Sequence, residues 1–259
     1  MGNTKSVREV IAEMGLAHSE EEARVLHERY DDDPRQGVKA ALGRLDRHIE
    51  AVQAEQARTA RLYEAIDAAG QDAIVVGIDE VGRGSIAGPL TVAAVVLPHR
   101  PYLYGLDDSK KLTPQRREEL AVAIRSHAEA IGIAHVPPAE IDRHGMSACL
   151  RVAMRHALEN TGIAPDLVLI DGNPIHISER ERCIVGGDGK VACIAAASIV
   201  AKVTRDHLMV EADARYPGYG FASSKGYASP EHIAAIREKG LTDFHRATFC
   251  TNFTQETLF

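Results

Sequence analysis

The spacing of apolar residues along the chain changes near residue 70. Before that point, apolar residues recur every three or four positions, which is the spacing of one face of an α-helix. The clearest stripe comprises Val38, Leu42, Leu45, Ile49 and Val52. Ser19 and Glu22 form a capping box at one helix start, and Asp33-Pro34 separates that helix from the next. The pattern therefore predicts a helical segment over residues 1–70, with a long last helix that ends at Gly70.

Beyond residue 70, short apolar runs rich in valine and isoleucine are bounded by glycine and proline, which is typical of buried strands. Residues 74–97 read IVVGIDEVGRGSIAGPLTVAAVVL and predict a strand, an acidic strand end, a glycine turn and a second strand. Another apolar run, LVLI at 167–170, also ends in an aspartate, Asp171. Because strands and helices alternate after residue 115, we predict an α/β fold whose opening hairpin is the antiparallel part of its sheet.

The glycine turn allows two interpretations. Gly82, Gly84 and Gly88 follow a strand, as the glycines of a dinucleotide-binding loop do. That loop must open a helix, because the pyrophosphate binds at the helix N-terminus, whereas Pro89 and a β-rich run follow here. Paired carboxylates would also repel phosphate unless a metal intervened. We therefore favour a metal-assisted phosphodiester site over a dinucleotide-dependent oxidoreductase.

The candidate chemistry is carried by carboxylates at predicted strand ends, namely Asp79, Glu80 and Asp171. If the two strands belong to one sheet, these side chains meet at the same sheet edge. Asp188, in the sequence Gly-Gly-Asp-Gly, has by itself the features of a turn residue. Carboxylates that cluster at short range cannot all remain ionised without cations. Oxygen ligands of this kind select Mg²⁺ or Mn²⁺.

Composition narrows the class of protein. The chain of 259 residues has a net charge of −7, so any surface that binds nucleic acid must be locally basic. The length fits one large domain or a domain with an appendage. The four cysteines lack the paired spacing of a metal site and indicate reduced thiols of a cytoplasmic protein. With no signal-peptide pattern and no apolar run approaching about eighteen residues, we expect a soluble protein that does not bind a membrane.

Several motifs occur together and in a distinctive order. They are GIDEVGRGSIAGP (77–89), DSKKLT (108–113), LVLIDG (167–172), GGDGK (186–190), AAASIVAKVTRD (195–206) and SSKGYASPEH (223–232). This set resembles type 2 ribonuclease H, the bacterial ribonuclease HII family, over about residues 72–250. The resemblance implies a ribonuclease H-like mixed five-stranded sheet flanked by helices. We accordingly expect a helical extension at 1–70, a catalytic domain with C-terminal helices at 71–250, and a tail at 251–259.

The resemblance also implies roles for individual acids. The implied catalytic residues, and ligands of two Mn²⁺ or Mg²⁺ ions, are Asp79, Glu80, Asp171 and Asp188. Asp206 competes with Asp188 as the fourth acid. Ser198, Lys202 and Asp206 fall on one face of a predicted helix, so the alternative for Asp206 is an ordinary salt bridge with Lys202.

The implied activity is that of a metal-dependent endoribonuclease. It would cut the RNA strand of RNA–DNA hybrids and cut 5′ of single ribonucleotides embedded in duplex DNA, leaving 5′-phosphate and 3′-hydroxyl ends. Such cleavage serves ribonucleotide excision repair and primer removal. The implied substrate-binding residues are Gly82, Arg83, Gly84, Lys110, Lys111, Ser198, Lys202, Lys225 and Tyr227. We expect a monomer. A protein that only binds hybrids, the alternative to an enzyme, would keep the substrate groove but would not need four acids.

Two peripheral segments each allow two interpretations. The N-terminal helices either pack on the core or grip the substrate through Arg44, Arg47, Arg58 and Arg61. The final residues, Gln255 to Phe259, read Gln-x-x-Leu-Phe and resemble the short peptides that bind the bacterial sliding clamp. The alternative for this segment is a chance match, or packing of its apolar residues on the domain.

Overall fold

The computed structural model describes residues 5–254, except for the side chain of Phe253. The chain forms two compact units, divided between Ala60 and Arg61. This boundary falls inside the long predicted helix and not at its end. None of the helices in the described part of the chain is long and apolar enough to cross a membrane. The predicted clamp-binding segment, 255–259, lies outside the described residues.

The first unit consists of helices that pack through their apolar faces. They are α1 (Val7–Met14), α2 (Glu20–Tyr30) and most of α3 (Gln36–Asp67). Ser19 and Glu22 form the predicted capping box, and Ser6 and Glu9 form another at the start of α1. One buried cluster includes Val10, Met14, Leu26, Tyr30, Val38, Leu42, Leu45 and Ile49. The predicted apolar stripe is therefore the packing face of α3.

The second unit is built on a mixed five-stranded sheet, as the resemblance implied. Its strands are β1 (Val75–Val81), β2 (Leu90–Val96), β3 (Ala130–Val136), β4 (Leu167–Asp171) and β5 (Glu181–Ile184). Their spatial order is β3-β2-β1-β4-β5. β1 pairs antiparallel with β2 and β2 with β3, whereas β1 pairs parallel with β4 and β4 with β5. β1, which carries the first acidic pair, thus lies at the centre of the sheet.

Helices cover both faces of this sheet. α4 (Pro114–His127) and α7 (Ala192–Arg215) pack on one face, and α5 (Pro138–His144) and α6 (Met146–Glu159) pack on the other. The other helices described for this unit are α8 (Phe221–Ser224), α9 (Pro230–Lys239) and α10 (Thr251–Thr254). Side chains alternate along β1, so Val76 and Ile78 enter the apolar cluster that contains α6, and Val75 enters the one that contains α7. Asp79 shares the face of Val75. Because side chains alternate along the strand, Asp79 points toward α7.

One predicted helix is divided in the structure. The residue pattern over 139–160 by itself predicts a single helix, but α5 ends and α6 begins at Gly145, whose φ is +78°. A residue with this backbone conformation cannot continue an α-helix. The apolar spacing persists across the break, which is why the pattern did not indicate it.

Candidate metal centre and the adjoining turn

Three carboxylates meet at one edge of the sheet. Asp79, Asp171 and Asp188 each offer an oxygen, and these oxygens all lie within 4.8 Å of one another. The sheet topology explains two of them: β1 and β4 are parallel neighbours in which Ile78 pairs with Ile170, so the next residue on each strand is an aspartate. Such a donor set, all oxygen and all potentially anionic, suits Mg²⁺ or Mn²⁺.

Asp188 reaches the cluster from a 3₁₀ turn, Gly187–Gly189, that leads into α7. The N–H of Gly187 donates a hydrogen bond of 2.7 Å to Oδ1 of Asp171. The turn is therefore attached to the end of β4. Asp188 is only 6% exposed, far less than expected for a solvated turn aspartate. Burial is what distinguishes this residue from an ordinary turn acid.

Electrostatics show that the cluster disfavours simultaneous ionisation. Asp79 is 6% exposed, and burial raises its pKa to about 8, with a further contribution from the negative charge of Glu80. A hydrogen bond involving Ser198 opposes the rise. Burial also raises the pKa of Asp188, and the nearby Asp108 carboxylate adds to this effect. A bound divalent cation would relieve both effects, so the residues present fit a metal ion.

Glu80 occupies a different position from the other predicted ligands. It follows Asp79 on β1, so the two side chains leave opposite faces of the strand. Burial and the charge of Asp171 raise the pKa of Glu80, whereas Arg83, whose Nη1 lies 3.6 Å from Oε1 of Glu80, lowers it. Glu80 is not part of the group of three oxygens found among the described residues. Its role as a ligand remains a prediction.

Asp206 forms an ion pair on α7. Nζ of Lys202 donates a hydrogen bond of 2.7 Å to Oδ1 of Asp206, the i, i+4 geometry of the salt-bridge alternative. Within residues 5–254, Asp206 does not belong to the carboxylate group. Ser198 is 4% exposed, and its Oγ lies 2.9 Å from Oγ of Ser109. Ser198 is therefore a buried residue, and it is hydrogen-bonded to Asp79.

The two predicted phosphate-binding lysines lie beside acids. Nζ of Lys110 is 3.3 Å from Oδ2 of Asp188 and 3.7 Å from Oδ1 of Asp108. Nζ of Lys111 is 3.2 Å from Oδ1 of Asp107. The side chain of Lys110 is 79% exposed, so it joins the carboxylate cluster from the solvent side. Of the two lysines, Lys110 is the one that the structure places in contact with the candidate metal centre.

The glycine turn and the loop that carries Tyr227 are attached to each other. The N–H groups of Ile86 and Ala87 donate to the carbonyl oxygen of Gly226 at 2.9 and 3.1 Å. Tyr227 follows directly and is 41% exposed. Lys225 has a φ of +52°, which is uncommon for a residue with a Cβ and indicates a tightly constrained loop. The structure therefore brings the predicted turn and the predicted tyrosine into one surface.

Two fully buried arginines hold this surface from beneath, and sequence reasoning missed both. Arg205 donates to Oγ of Ser85, to the carbonyls of Ala87 and Pro89, and to the carbonyl of Lys225 at 2.7 Å. Arg246 donates to the carbonyls of Arg83, Ser85 and Gly88. The hydrogen bonds join residues 83–89 to the loop that precedes Tyr227.

These guanidinium groups are unusual because they are buried inside the protein. Both are 0% exposed, and neither forms an ion pair with a carboxylate in the described part of the chain. Burial lowers the pKa of both groups, to about 10 for Arg246, so Arg246 remains cationic at neutral pH. A Cβ on Gly82 would lie 2.3 Å from Nε of Arg205, which explains why glycine stands at the first position of the turn.

One signal in the sequence pointed toward Arg205. It lies seven positions after Ser198 and three after Lys202, and so shares their helical face. No comparable signal marks Arg246, which lies in an irregular segment. Its partners are about 160 residues away along the chain, so no local spacing relates them.

Comparisons with known proteins agree with this geometry. The family model described as Ribonuclease HII matches residues 76–252, and the model described as Ribonuclease HII N-terminal domain matches residues 6–65. Ribonuclease HII of Geobacillus thermodenitrificans is 46% identical over 220 residues, 84% of this chain and 85% of that protein. Ribonuclease HII of Geobacter sulfurreducens is 49% identical over 176 residues, 68% of this chain and 81% of that protein.

Solved structures give the same result. Ribonuclease H2 of Pyrococcus horikoshii superposes with a TM-score of 0.60 at 25% identity, covering 71% of this chain and 100% of that one. Ribonuclease HII of Archaeoglobus fulgidus, solved in complex with PCNA, gives 0.58 at 26% identity, covering 71% and 98%. Bst-RNase HIII, solved in complex with Mn²⁺, gives 0.55 at 19% identity, covering 73% and 68%, and shows a shared fold.

Proposed function

The chain belongs to the ribonuclease HII family, and on that premise we propose that it cuts duplex DNA on the 5′ side of a single embedded ribonucleotide. Membership of this family makes the protein a ribonuclease H-type hydrolase that acts on RNA–DNA substrates. The finer specificity rests on one observation: the three-carboxylate cluster adjoins a turn that is hydrogen-bonded to the Tyr227 loop. A reactive phosphate and its neighbouring ribose could be bound together at such a surface.

We propose that Asp79, Asp171 and Asp188 hold the divalent cations, with Glu80 as a further ligand. Two Mg²⁺ or Mn²⁺ ions, when bound, supply an activated water and stabilise the leaving 3′ oxygen. The carboxylates then act as ligands, with Ser198 orienting Asp79 from behind. We assign a phosphate contact to the exposed ammonium of Lys110, and the support is its position beside Asp188. No nucleophilic serine or histidine is required.

Recognition of a ribonucleotide requires a group that senses the 2′-hydroxyl. We assign this to the backbone of Gly82, Arg83 and Gly84 together with the exposed ring of Tyr227. Arg205 and Arg246 hold the carbonyls of the turn from the protein side, which leaves the outer face of its backbone for a ribose. The other predicted substrate-binding lysines would contribute positive charge that attracts the phosphates. They are Lys111, Lys202 and Lys225.

The function of the first unit is proposed from its charges. Arg44 and Arg47 are exposed on α3, and neither forms an ion pair within the described residues. Arg58, by contrast, is paired with Glu55 at 2.7 Å, and Arg61 belongs to the second unit. We therefore assign duplex gripping to Arg44 and Arg47 alone among the four predicted arginines.

We also propose that Gln255 to Phe259 bind the sliding clamp. The support is the sequence Gln-x-x-Leu-Phe, together with a family member from Archaeoglobus fulgidus that was solved with PCNA. A hydrophobic pair, Leu258 and Phe259, would fill a pocket with about micromolar affinity. Titration of the bacterial clamp with the intact protein and with a Leu258→Ala, Phe259→Ala double mutant tests this. Equal clamp binding by the intact protein and the double mutant, or no binding by either protein, would contradict this proposal.

The experiment for the proposed activity uses three end-labelled duplexes of one sequence. They carry a single ribonucleotide, a full RNA strand, or only deoxyribonucleotides. We expect cleavage of the first two, with the single-ribonucleotide duplex cut on the 5′ side to give 5′-phosphate and 3′-hydroxyl ends that co-migrate with synthetic standards. Binding without cleavage would favour the hybrid-binding alternative, and 3′-phosphate ends would contradict the proposed chemistry.

A further inference from the structure

Two buried histidines in the second unit are in direct contact, and the proposed mechanism does not use them. Nε2 of His232 lies 3.1 Å from Nε2 of His245, and the side chains are 0% and 4% exposed. Their surroundings are aromatic, with Phe221 against both rings. Burial lowers the pKa of both rings, to about 4 for His245, so both are neutral near pH 7.

The hydrogen-bond partners determine the tautomer of each ring. The backbone N–H of Thr242 donates to Nδ1 of His245 at 3.0 Å, so that nitrogen carries no proton. The proton of neutral His245 is therefore on Nε2, which donates to Nε2 of His232. His232 must then carry its own proton on Nδ1, which lies 2.9 Å from the carbonyl oxygen of Tyr227. Because a carbonyl oxygen only accepts, each hydrogen bond in this series has a fixed direction. Thr242 donates to His245, His245 donates to His232, and His232 donates to Tyr227.

The histidine pair contacts both the segment that follows Gly82, Arg83 and Gly84 and the loop of Tyr227. At one end, His245 forms a β-bridge with Ala87, and the neighbouring N–H of Arg246 donates to the carbonyl of Ile86 at 2.8 Å. At the other end, His232 contacts the backbone of Tyr227, whose N–H donates to the carbonyl of Ser224 at 3.0 Å. The histidines thus join the segment after the glycine turn to the exposed tyrosine.

We propose that His232 and His245 are positioning residues that hold the backbone of Tyr227, and with it the phenol ring, at a set place relative to the glycine turn. The inference rests on the proposed role of Tyr227. Both side chains are buried. His232 acts through the carbonyl of Tyr227, and His245 acts through His232. A displacement of the ring of about 1 Å is enough to slow a reaction that depends on its placement.

Asparagine and glutamine at position 232 form a matched pair of variants. In His232→Asn the side-chain amide lies near the place of Nδ1 and can still donate to Tyr227, but the hydrogen bond with His245 is removed. In His232→Gln the amide lies near the place of Nε2, so the hydrogen bond with His245 survives and the bond to Tyr227 is removed. Both variants remove the ring. A role limited to packing predicts the same result for the two.

The test measures kcat and KM of the full chain on a duplex with one embedded ribonucleotide, together with melting temperature. We expect His232→Gln to lower kcat/KM by about tenfold and His232→Asn to retain most of it, at similar melting temperatures. In a Tyr227→Ala background the two variants should cleave at equal rates, because the ring that they position is gone. At the other ring, the amide of His245→Gln lies near Nε2 and keeps the hydrogen bond that fixes the proton of His232 on Nδ1. His245→Gln should therefore be more active than His245→Asn, in which the His232 ring can lose that proton from Nδ1.

Two kinds of result would overturn the inference. Equal losses within both matched pairs, or a His232→Gln loss that persists in the Tyr227→Ala background, would overturn it while leaving the proposed function intact. If Tyr227→Ala itself cleaves as fast as the wild type, the proposed role of Tyr227 is wrong and the positioning role is wrong with it. If a variant at position 232 does not fold, the pair at position 245 decides.

Discussion

The backbone N–H of Gly187 donates a 2.7 Å hydrogen bond to Oδ1 of Asp171, and this bond attaches the turn that carries Asp188 to the end of β4. Asp171 therefore has two roles in the structure, because it is a member of the carboxylate cluster and also a support for its neighbour. The bond also explains how a loop residue with no strand of its own enters a cluster built on β1 and β4.

Asp188 and Asp206 can be separated by matched substitutions. Asp188→Asn should lower cleavage by more than about tenfold, since loss of one ligand weakens the metal site. Asp206→Asn should leave cleavage within about threefold and lower the free energy of unfolding by about 1 kcal/mol, the value of a partly exposed ion pair with Lys202. Steady-state cleavage rates and urea denaturation measure the two effects. The reverse ranking of activity would place the fourth acid on α7.

The raised pKa of Asp79 predicts a pH dependence of stability in EDTA. The pKa is 3.8 in a model peptide and about 8 in the folded protein. Between these two pH values, the folded state therefore holds a proton that the unfolded state has lost. This stabilisation is fully present below the unfolded pKa and is lost as the pH rises toward the folded pKa. The melting temperature of the wild type should therefore fall between about pH 5 and about pH 8.

Asp79→Asn is the control for this dependence, because its amide does not titrate. Its melting temperature in EDTA should fall less over the same range and exceed that of the wild type by a few degrees near pH 8. Mn²⁺ or Mg²⁺ should raise the melting temperature of the wild type at high pH and have little effect on the variant. Parallel pH profiles for the two proteins would show that Asp79 does not hold an unfavourable charge.

Much of the second unit could be predicted from sequence because its elements have strong local patterns. β1, β2 and β4 each contain a short apolar run, and the aspartates that follow the runs of β1 and β4 come together once the strands pair. β5 has no such run: Glu181 to Ile184 are half-exposed and read ERCI, so local pattern does not indicate a strand. Its place in the sheet is determined by pairing with β4.

The supports of the site could not be predicted for a different reason. Arg205 and Arg246 are charged but fully buried. Charged residues are rarely fully buried, so neither composition nor residue spacing indicates these two. Their partners are backbone carbonyls of the glycine turn, far away along the chain. The histidine pair likewise depends on contacts between α9 and the segment around His245. Only the tertiary structure brings these groups together.

The boundary of the first unit also required the structure. Leu62, Tyr63 and Ile66 continue the helical pattern of α3, but they are buried in the core of the second unit. Removal of residues 1–70, the expected extension, would therefore remove part of that core. Substitutions within the intact chain test the first unit more cleanly than a deletion does.

We predict that Arg44→Ala with Arg47→Ala weakens duplex binding and reduces its salt dependence. For every phosphate that is no longer neutralised, the slope of log K against log salt should fall by about 0.9, so the slope of the double mutant should fall by up to about two. Arg24→Ala is the control, because Arg24 is exposed on the same unit but paired with Glu21 and Glu28. An unchanged slope in the double mutant would assign these arginines to a solvated face.

Cleavage of a duplex with one embedded ribonucleotide, measured in EDTA and again after addition of Mn²⁺ or Mg²⁺, tests most directly whether Asp79, Asp171 and Asp188 hold the cations on which the reaction depends. We predict no cleavage by the wild type in EDTA and full recovery with either ion. Asp79→Asn should fold normally and remain below about a tenth of the wild-type rate with the ion present. Wild-type turnover in EDTA, or an Asp79→Asn variant above that level, would contradict the assignment.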